Sequence, residues 1–189
     1  MNSVMISIKP EWCALIASGE KTAEVRKTKP SGVKLGKLAE PFKCYIYETQ
    51  GKSDMPWLDE DGHMIFRGRG KVVAEFLCDG IYPICYTMDG FADAVDCRTT
   101  RLKPKDFIAY GEGKPLYGWS ISELKVYDMP KELRDFCFPP DLYCKKELCG
   151  GCPKDQVMGL DGDYAFDCEW EKPITRPPQS WCFAEEKRK

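Results

Sequence analysis

The stretch "MISIKPEWCALIASGEKTAEVRKTKP", residues 5–30, has the pattern of a strand, a helix and a second strand in close succession. The first residues belong to the alternating, β-rich run 4–8, which predicts a strand. Pro10 is favoured in the first turn of a helix, and a glycine such as Gly19 commonly ends one. We therefore expect a helix over residues 10–18.

Residues 21–27 alternate again and predict a strand with two polar faces. One face carries Thr22, Glu24 and Arg26. Lys21 belongs to the other face, and it reaches the first face only if it lies at the start of the strand, where the bend at Gly19 can turn it. Glu24 and Arg26 are close enough to pair. The pair is either a structural ion pair that ties the strand to the helix or the readout element of a binding cleft.

The rest of the chain predicts mainly strands. A short strand is also possible in "HMIFRG", and a helix is expected near residues 89–95. The remaining expected strands lie at 43–49, 71–84, near 107–110 and at 116–127. Short strands with few helices indicate a small, partly open β-barrel.

Composition excludes several classes of protein. The chain has 189 residues, is 43% hydrophobic and is therefore able to bury a core. It contains no apolar run near the roughly 18 residues of a membrane span, and its first residues do not resemble a signal peptide. We expect a soluble, cytoplasmic protein without a membrane partner. The net charge of −2 means that any nucleic-acid binding must be local to one face.

A single histidine, His63, further limits the chemistry. Metal sites that need paired histidines are excluded, and a Ser–His or Cys–His nucleophile would depend on this one residue in a polar turn.

The eleven cysteines are unevenly distributed. Five lie mostly in apolar segments and are expected to be small buried hydrophobes. Six lie in the last 53 residues, in a loop-rich segment with too little apolar periodicity to fold unaided. We therefore divide the chain into a barrel over residues 1–130 and a cysteine-rich extension, residues 131–189, that packs on it.

Cys149 and Cys152 form a Cys-x2-Cys pair, whose thiolates can occupy adjacent corners of a tetrahedron. With Cys144 and Cys168 they form the predicted ligand set of a structural Zn²⁺ site. Cys137 and Cys182 are alternative ligands. Rubredoxin-like iron, an iron–sulfur cluster, a redox pair and unligated thiols remain open.

Three segments carry a family resemblance. The first is the 5–30 stretch with its G-x-K-x-x-E-x-R motif; the others are "LYGWSISELKVYDMPKELRDF" (116–136) and "ITRPPQSWCFAEE" (174–186). Together they resemble ASCH-domain (activating signal cointegrator homology) proteins of the PUA-like superfamily, of a bacterial or phage type with a cysteine-bearing tail. The resemblance implies an α+β, mainly β fold: a small PUA-like barrel with one or two helices and a cleft lined by the motif residues.

The resemblance also implies that the chain binds RNA or a modified nucleotide or nucleoside. Glu24 and Arg26 would read a base, and lysines would attract phosphate. Trp12, Tyr117 and Trp119 are candidates for stacking on a base, although Trp12 and Trp119 also suit core positions. The full candidate site comprises Lys9, Lys21, Thr22, Glu24, Arg26 and Lys27.

Two alternatives to simple binding remain. Bacterial N4-acetylcytidine amidohydrolases, one branch of the family, use a lysine and a threonine of this segment with a distant acid. Lys21 matches that lysine, but Glu24 stands where the threonine is needed. A hydrolase of modified nucleosides or a ribonuclease would therefore rely on Lys21 and Glu24, with an acid such as Asp89, Asp93 or Asp96. The other alternative is a regulatory protein that binds a protein partner through the tail.

Overall fold

The computed structural model describes residues 3–50, 57–58, 64–65, 70–90, 92–139 and 173–187. His63 and the predicted zinc ligands Cys144, Cys149, Cys152 and Cys168 lie outside these residues. None of the described helices is long and apolar enough to cross a membrane.

The described chain is mainly β, as the fold class predicts, and it has three short α-helices where one or two were expected. The helices are α1 (Pro10–Ala17), α2 (Ala94–Thr100) and α3 (Pro104–Gly111), and a 3₁₀ turn covers Leu133–Asp135. The strands are β1 (Val4–Ile8), β2 (Ala23–Arg26), β3 (Gly36–Glu48), β4 (Trp57–Leu58), β5 (Met64–Ile65), β6 (Lys71–Pro83), β7 (Tyr117–Ser120), β8 (Ser122–Lys131), β9 (Phe136–Cys137), β10 (Trp181–Phe183) and β11 (Glu185–Glu186).

One curled sheet forms a half-barrel, in the order β10-β1-β3-β6-β7-β2, and β8 also pairs with β6. β1 and β3 are parallel, whereas the other pairs are antiparallel. β1 and β2, which are close in sequence, are therefore separated in the sheet by β3, β6 and β7. The two pieces of the 5–30 stretch lie near opposite ends of the curled sheet.

Local sequence signals predicted several elements well. The strand at 4–8 is confirmed, the helix expected over 10–18 ends one residue earlier, and the strand expected at 71–84 is β6. Other boundaries moved: β3 begins before the predicted 43–49 strand, and the 116–127 strand divides into β7 and β8.

The strand predicted near 107–110 is wrong, because these residues belong to α3. Pro104 occupies the first turn, and the Asp106 carboxylate accepts a hydrogen bond from the Lys103 backbone N–H at 2.9 Å. Phe107 and Gly111 are buried four residues apart, which is helical spacing. The helix expected near 89–95 also lies later in the chain, since the Asp93 side chain caps α2 by accepting from the Val95 N–H.

The main core consists of buried side chains that come mostly from β1, α1, β3, β6 and β7. Trp119 lies edge-on to Phe42, with 5.7 Å between ring centroids. Cys13, Cys44 and Cys78 are buried in this core, as expected for small hydrophobes, whereas Cys85 is exposed and Cys97 is half-buried.

The C-terminal residues 173–187 are part of this architecture. β10 pairs with the free side of β1, and Ile174 and Ala184 are fully buried in a second core cluster. A bridge between Cys137 and Pro173 brings the chain before residue 140 next to the chain after residue 172.

Candidate functional site

Lys21 lies just before β2, at the end of the turn made by Gly19, whose φ is +74°. Its Nζ donates hydrogen bonds to the Ala23 and Thr100 carbonyls, each at 2.9 Å, and lies 3.3 Å from Glu24 Oε2. Thr100 ends α2, so Lys21 places a cation at the C-terminus of that helix, where its dipole favours one. Lys21 therefore shares the face of Glu24, as its position before the strand allows.

Arg26 connects β2 to the other end of the sheet. Its Nη2 lies 3.0 Å from Glu24 Oε1 and donates to the Ser7 carbonyl of β1 at 2.8 Å. We call Lys21, Glu24 and Arg26 the buried triad. The triad joins β2, β1 and α2 at one point.

The triad is shielded from water, because the exposed fractions of Lys21, Glu24 and Arg26 are 2%, 7% and 5%. Removing charges from water costs several kcal/mol per ion unless ion pairs and hydrogen bonds replace the lost hydration. Each oxygen of the single carboxylate faces one of the two cations, and backbone carbonyls bind both cations as well.

Burial lowers the pKa of Lys21 from its ordinary value of 10.5. The nearby positive charge of Arg26 acts in the same direction, while the carboxylate of Glu24 opposes both. Desolvation of the ammonium and repulsion from Arg26 together outweigh the stabilisation that the ammonium receives from Glu24.

A cavity of about 580 Å³ lies over the triad. Its walls come from β1, α1, the 102–110 region and the C-terminal segment, and they combine apolar and aromatic side chains with a few polar groups. The lining residues include Ile8, Lys9, Trp12, Lys21, Glu24, Val25, Arg26, Leu102, Asp106, Tyr110 and Gln179.

The Nε of Arg26 is buried and has no hydrogen-bond partner in the described part of the chain. A buried donor without a partner costs free energy, so such atoms call for an explanation. Arg26 lines the cavity, although its Nε atom is not itself accessible from it.

The structure brings four of the six predicted site residues to this cavity: Lys9, Lys21, Glu24 and Arg26. The cavity lining does not include Thr22 or Lys27. Thr22 is exposed, and its backbone N–H donates to the Thr99 carbonyl at 2.8 Å. Lys27 Nζ lies 3.2 Å from Glu112 Oε2 and 5.1 Å from the centre of the Tyr110 ring.

The aromatic candidates have different surroundings. Trp12 lines the cavity, and Lys21 Nζ lies 5.4 Å from the centre of its ring. Trp119 is fully buried and is a core residue, so its ring is not available to a ligand. Tyr117 packs against the same core.

The acids proposed for catalysis lie away from the cavity lining. Asp93 caps α2, Asp96 accepts from the Cys85 N–H at 2.9 Å, and Asp89 accepts a hydrogen bond from Thr87. Asp106 is the aspartate in the lining, and one of its oxygens already caps α3.

Sequence reasoning missed Asp106, Tyr110 and Gln179. The first two were missed because α3 was read as a strand, although Pro104 with Asp106 is a helix-start signal. Gln179 lies within the family-like C-terminal segment, but no spacing rule connects it to β2.

The described residues contain no group of three or more side chains suited to a metal ion. Of the alternative ligands, Cys137 is buried, and its Sγ lies 3.6 Å from the Glu185 carbonyl. Burial raises the pKa of Cys182 to about 11. The four preferred ligands lie outside the described residues, so the zinc site stays a prediction.

Comparison with known proteins identifies the fold. No family model and no curated protein matches the sequence. The crystal structure of ASCH from Zymomonas mobilis matches at a TM-score of 0.50 and 17% identity, over 96% of this chain and 87% of that one. The structure of a tyrosine-to-phenylalanine variant of that protein matches at a TM-score of 0.50 and 15% identity, over 97% of this chain and 90% of that one. The chain has the fold of these ASCH structures, which confirms the resemblance at the level of the fold.

Replacing the shared carboxylate should destabilise the protein strongly. Glu24→Gln leaves two buried cations without a counter-charge, so we expect the free energy of unfolding in urea to fall by about 3–5 kcal/mol. The matched control is Glu112→Gln, which removes the exposed pair with Lys27 and should cost less than about 1 kcal/mol. Equal losses in the two variants would contradict the assigned role of the triad.

Stability should also report the lowered pKa of Lys21. Between the lowered pKa of Lys21 in the folded protein and a pH of 10.5, Lys21 is protonated in the unfolded chain but largely neutral in the folded one. The unfolded chain therefore binds more protons, and the free energy of unfolding rises with pH across this window. Lys21→Met cannot titrate there. We expect the difference in unfolding free energy between wild type and Lys21→Met to grow in favour of wild type as pH approaches 10.5. A constant or shrinking difference would contradict the lowered pKa.

Proposed function

We propose that the chain binds RNA or a modified nucleotide or nucleoside by accepting one base in the cavity over the buried triad. The observation that carries the proposal is the Glu24–Arg26 pair, which is held at the lining of this cavity. A ligand that presents an acceptor to Arg26 would use the planar fork of the arginine.

The dimensions and lining suit a nucleoside. Cavities of about 300–1,000 Å³ with mainly apolar walls and a few convergent polar groups are typical of small-molecule sites. Trp12 and Tyr110 provide aromatic surface for a base. Each Glu24 oxygen contacts one cation and has a further lone pair to accept from a base N–H. A base edge carries the donors and acceptors that complement this pair.

The contacts of the lysines change the role that we propose for each. The ammonium of Lys21 already faces two carbonyls and a carboxylate, so Lys21 orients Glu24 rather than binding phosphate. Lys9 is exposed at the cavity and is the better candidate for attracting a phosphate. Lys27 is engaged by Glu112.

The alternative of a hydrolase rests on one observation, the lowered pKa of Lys21, since a lysine base needs such a shift. The hydrogen bonds of Lys21 to two carbonyls oppose this role, because they direct its protons away from a substrate. Binding without turnover is therefore the function that we favour.

Titration of short single-stranded RNAs, hairpin RNAs and ribonucleosides at about 50 and 200 mM salt tests the proposal. Arg26→Lys keeps the charge but loses Nε and the fork, so we expect at least a roughly ten-fold weaker affinity. Lys27→Ala, outside the lining, should bind within about two-fold of wild type. The salt dependence should be shallow, corresponding to about one or two phosphate contacts.

After binding, each ligand, including added N4-acetylcytidine, should be recovered chemically unchanged. Turnover that disappears in a folded Lys21→Met variant would instead favour the hydrolase. No binding by the wild type, or equal binding by wild type and Arg26→Lys, would refute the proposed site.

We also propose that Cys144, Cys149, Cys152 and Cys168 hold a structural Zn²⁺ ion. The support is the Cys-x2-Cys spacing and the low apolar periodicity of this part of the sequence. With four thiolates and no open coordination position, the ion would stabilise local structure without taking part in chemistry.

Elemental analysis should find about one zinc per chain in the wild type and in Cys97→Ser, whose cysteine lies in α2. Cys149→Ser should lose the metal. Chelation should make the chain between Cys137 and Pro173 sensitive to protease and leave the barrel, including β10, resistant. Unchanged protease sensitivity after metal removal would refute the structural role of zinc.

A further inference from the structure

Gln179 belongs to the C-terminal segment and lines the same cavity as the buried triad. The backbone on both sides of it is fixed to Ser7 of β1. Ser7 Oγ donates to the Pro178 carbonyl at 2.6 Å, and the Ser7 N–H donates to the Ser180 carbonyl at 3.0 Å. The Ser7 carbonyl in turn accepts from Arg26, so a single residue sets the positions of Gln179 and Arg26 relative to each other.

Two further constraints hold this segment in place. Pro177 and Pro178 restrict the backbone directly before Gln179, because the proline ring fixes φ. Trp181 Nε1 donates to Thr28 Oγ1 at 2.9 Å, which ties the segment to the chain after β2. The backbone of Gln179 is therefore anchored at both ends of the sheet.

The side chain of Gln179 has a different environment from its backbone. It is exposed, and no described residue provides its amide with a hydrogen bond. A primary amide carries an acceptor and two donors in one plane, and glutamine uses them to read the edge of a base. A fixed backbone with an unused amide is suited to contacting a ligand.

We propose that Gln179 determines the specificity of the cavity. Resting on the proposed function, this inference assigns the bound group to the class of planar edges that carry a donor next to an acceptor, as a nucleobase does. Arg26 supplies hydrogen-bond donors, and Glu24 supplies acceptors. The amide of Gln179 carries a donor and an acceptor side by side, and this combination selects among bases. A phosphodiester group has no donor to offer Glu24 or the amide oxygen.

Calorimetric titration of the full chain with adenosine, guanosine, cytidine and uridine tests this assignment. We expect the wild type to prefer one base and Gln179→Ala to reduce that preference at least about ten-fold while retaining weaker binding. Gln179→Glu keeps an acceptor but loses the amide donors, so its order of preference should change. Thr175→Ala is the control, because Thr175 is exposed in the same segment outside the lining.

The outcomes separate this inference from the proposed function. Binding by the wild type with the same base preference in Gln179→Ala and Gln179→Glu overturns the role of Gln179 and leaves the cavity as a nucleoside site. Equal affinity of the wild type for all four nucleosides also overturns the role of Gln179 and leaves the cavity as a nucleoside site. No binding of any of the four nucleosides by the wild type overturns the role of Gln179, and only the further absence of binding to the RNAs and to N4-acetylcytidine overturns the proposed function as well.

Discussion

The hydrogen bond between Arg26 and the Ser7 carbonyl sets the geometry on which the site depends. It joins β2 to β1 across the opening of the curled sheet, although three strands separate them in the strand order. The twist of a sheet brings its ends towards each other but does not set the distance between them. Glu24 orients Arg26, and Lys21 connects Glu24 to the end of α2. The contacts that close the half-barrel are therefore the same contacts that shape the cavity.

Stability alone does not explain why this closure uses charges. Buried ion pairs are often no more stabilising than well-packed apolar side chains of the same volume, because desolvation offsets the attraction. Charged groups add direction: a guanidinium fork and a carboxylate hold fixed orientations, and each has bonding capacity that the protein does not use. The structural and functional interpretations of the Glu24–Arg26 pair are thus compatible, since the contacts that close the sheet also orient the groups that face the cavity.

The sequence predicted what local rules control. β1, α1 and β6 follow from alternation, Pro10 and Gly19, which act within a few residues. The apolar run at 107–110 is too short for periodicity to distinguish helix from strand, and the cap at Asp106 was the stronger signal. Alternation alone would place Lys21 on the face opposite Glu24, but Lys21 precedes the strand, and the bend at Gly19 brings it to the same face, as the sequence allowed. Gln179 could not be predicted in this way. Its position at the cavity depends on contacts between residues more than 150 positions apart, which the spacing of residues along the sequence does not indicate.

The C-terminal segment links the barrel to the cysteine-rich region. β10 covers an edge of β1 that would otherwise expose unpaired backbone groups, and the same segment carries Gln179 to the cavity. The bridge between Cys137 and Pro173 places the two described residues that flank the cysteine-rich region side by side. On the C-terminal side, the bonds of Pro178 and Ser180 to Ser7 connect the segment to the residue whose carbonyl binds Arg26. The C-terminal segment and the triad are therefore joined through Ser7.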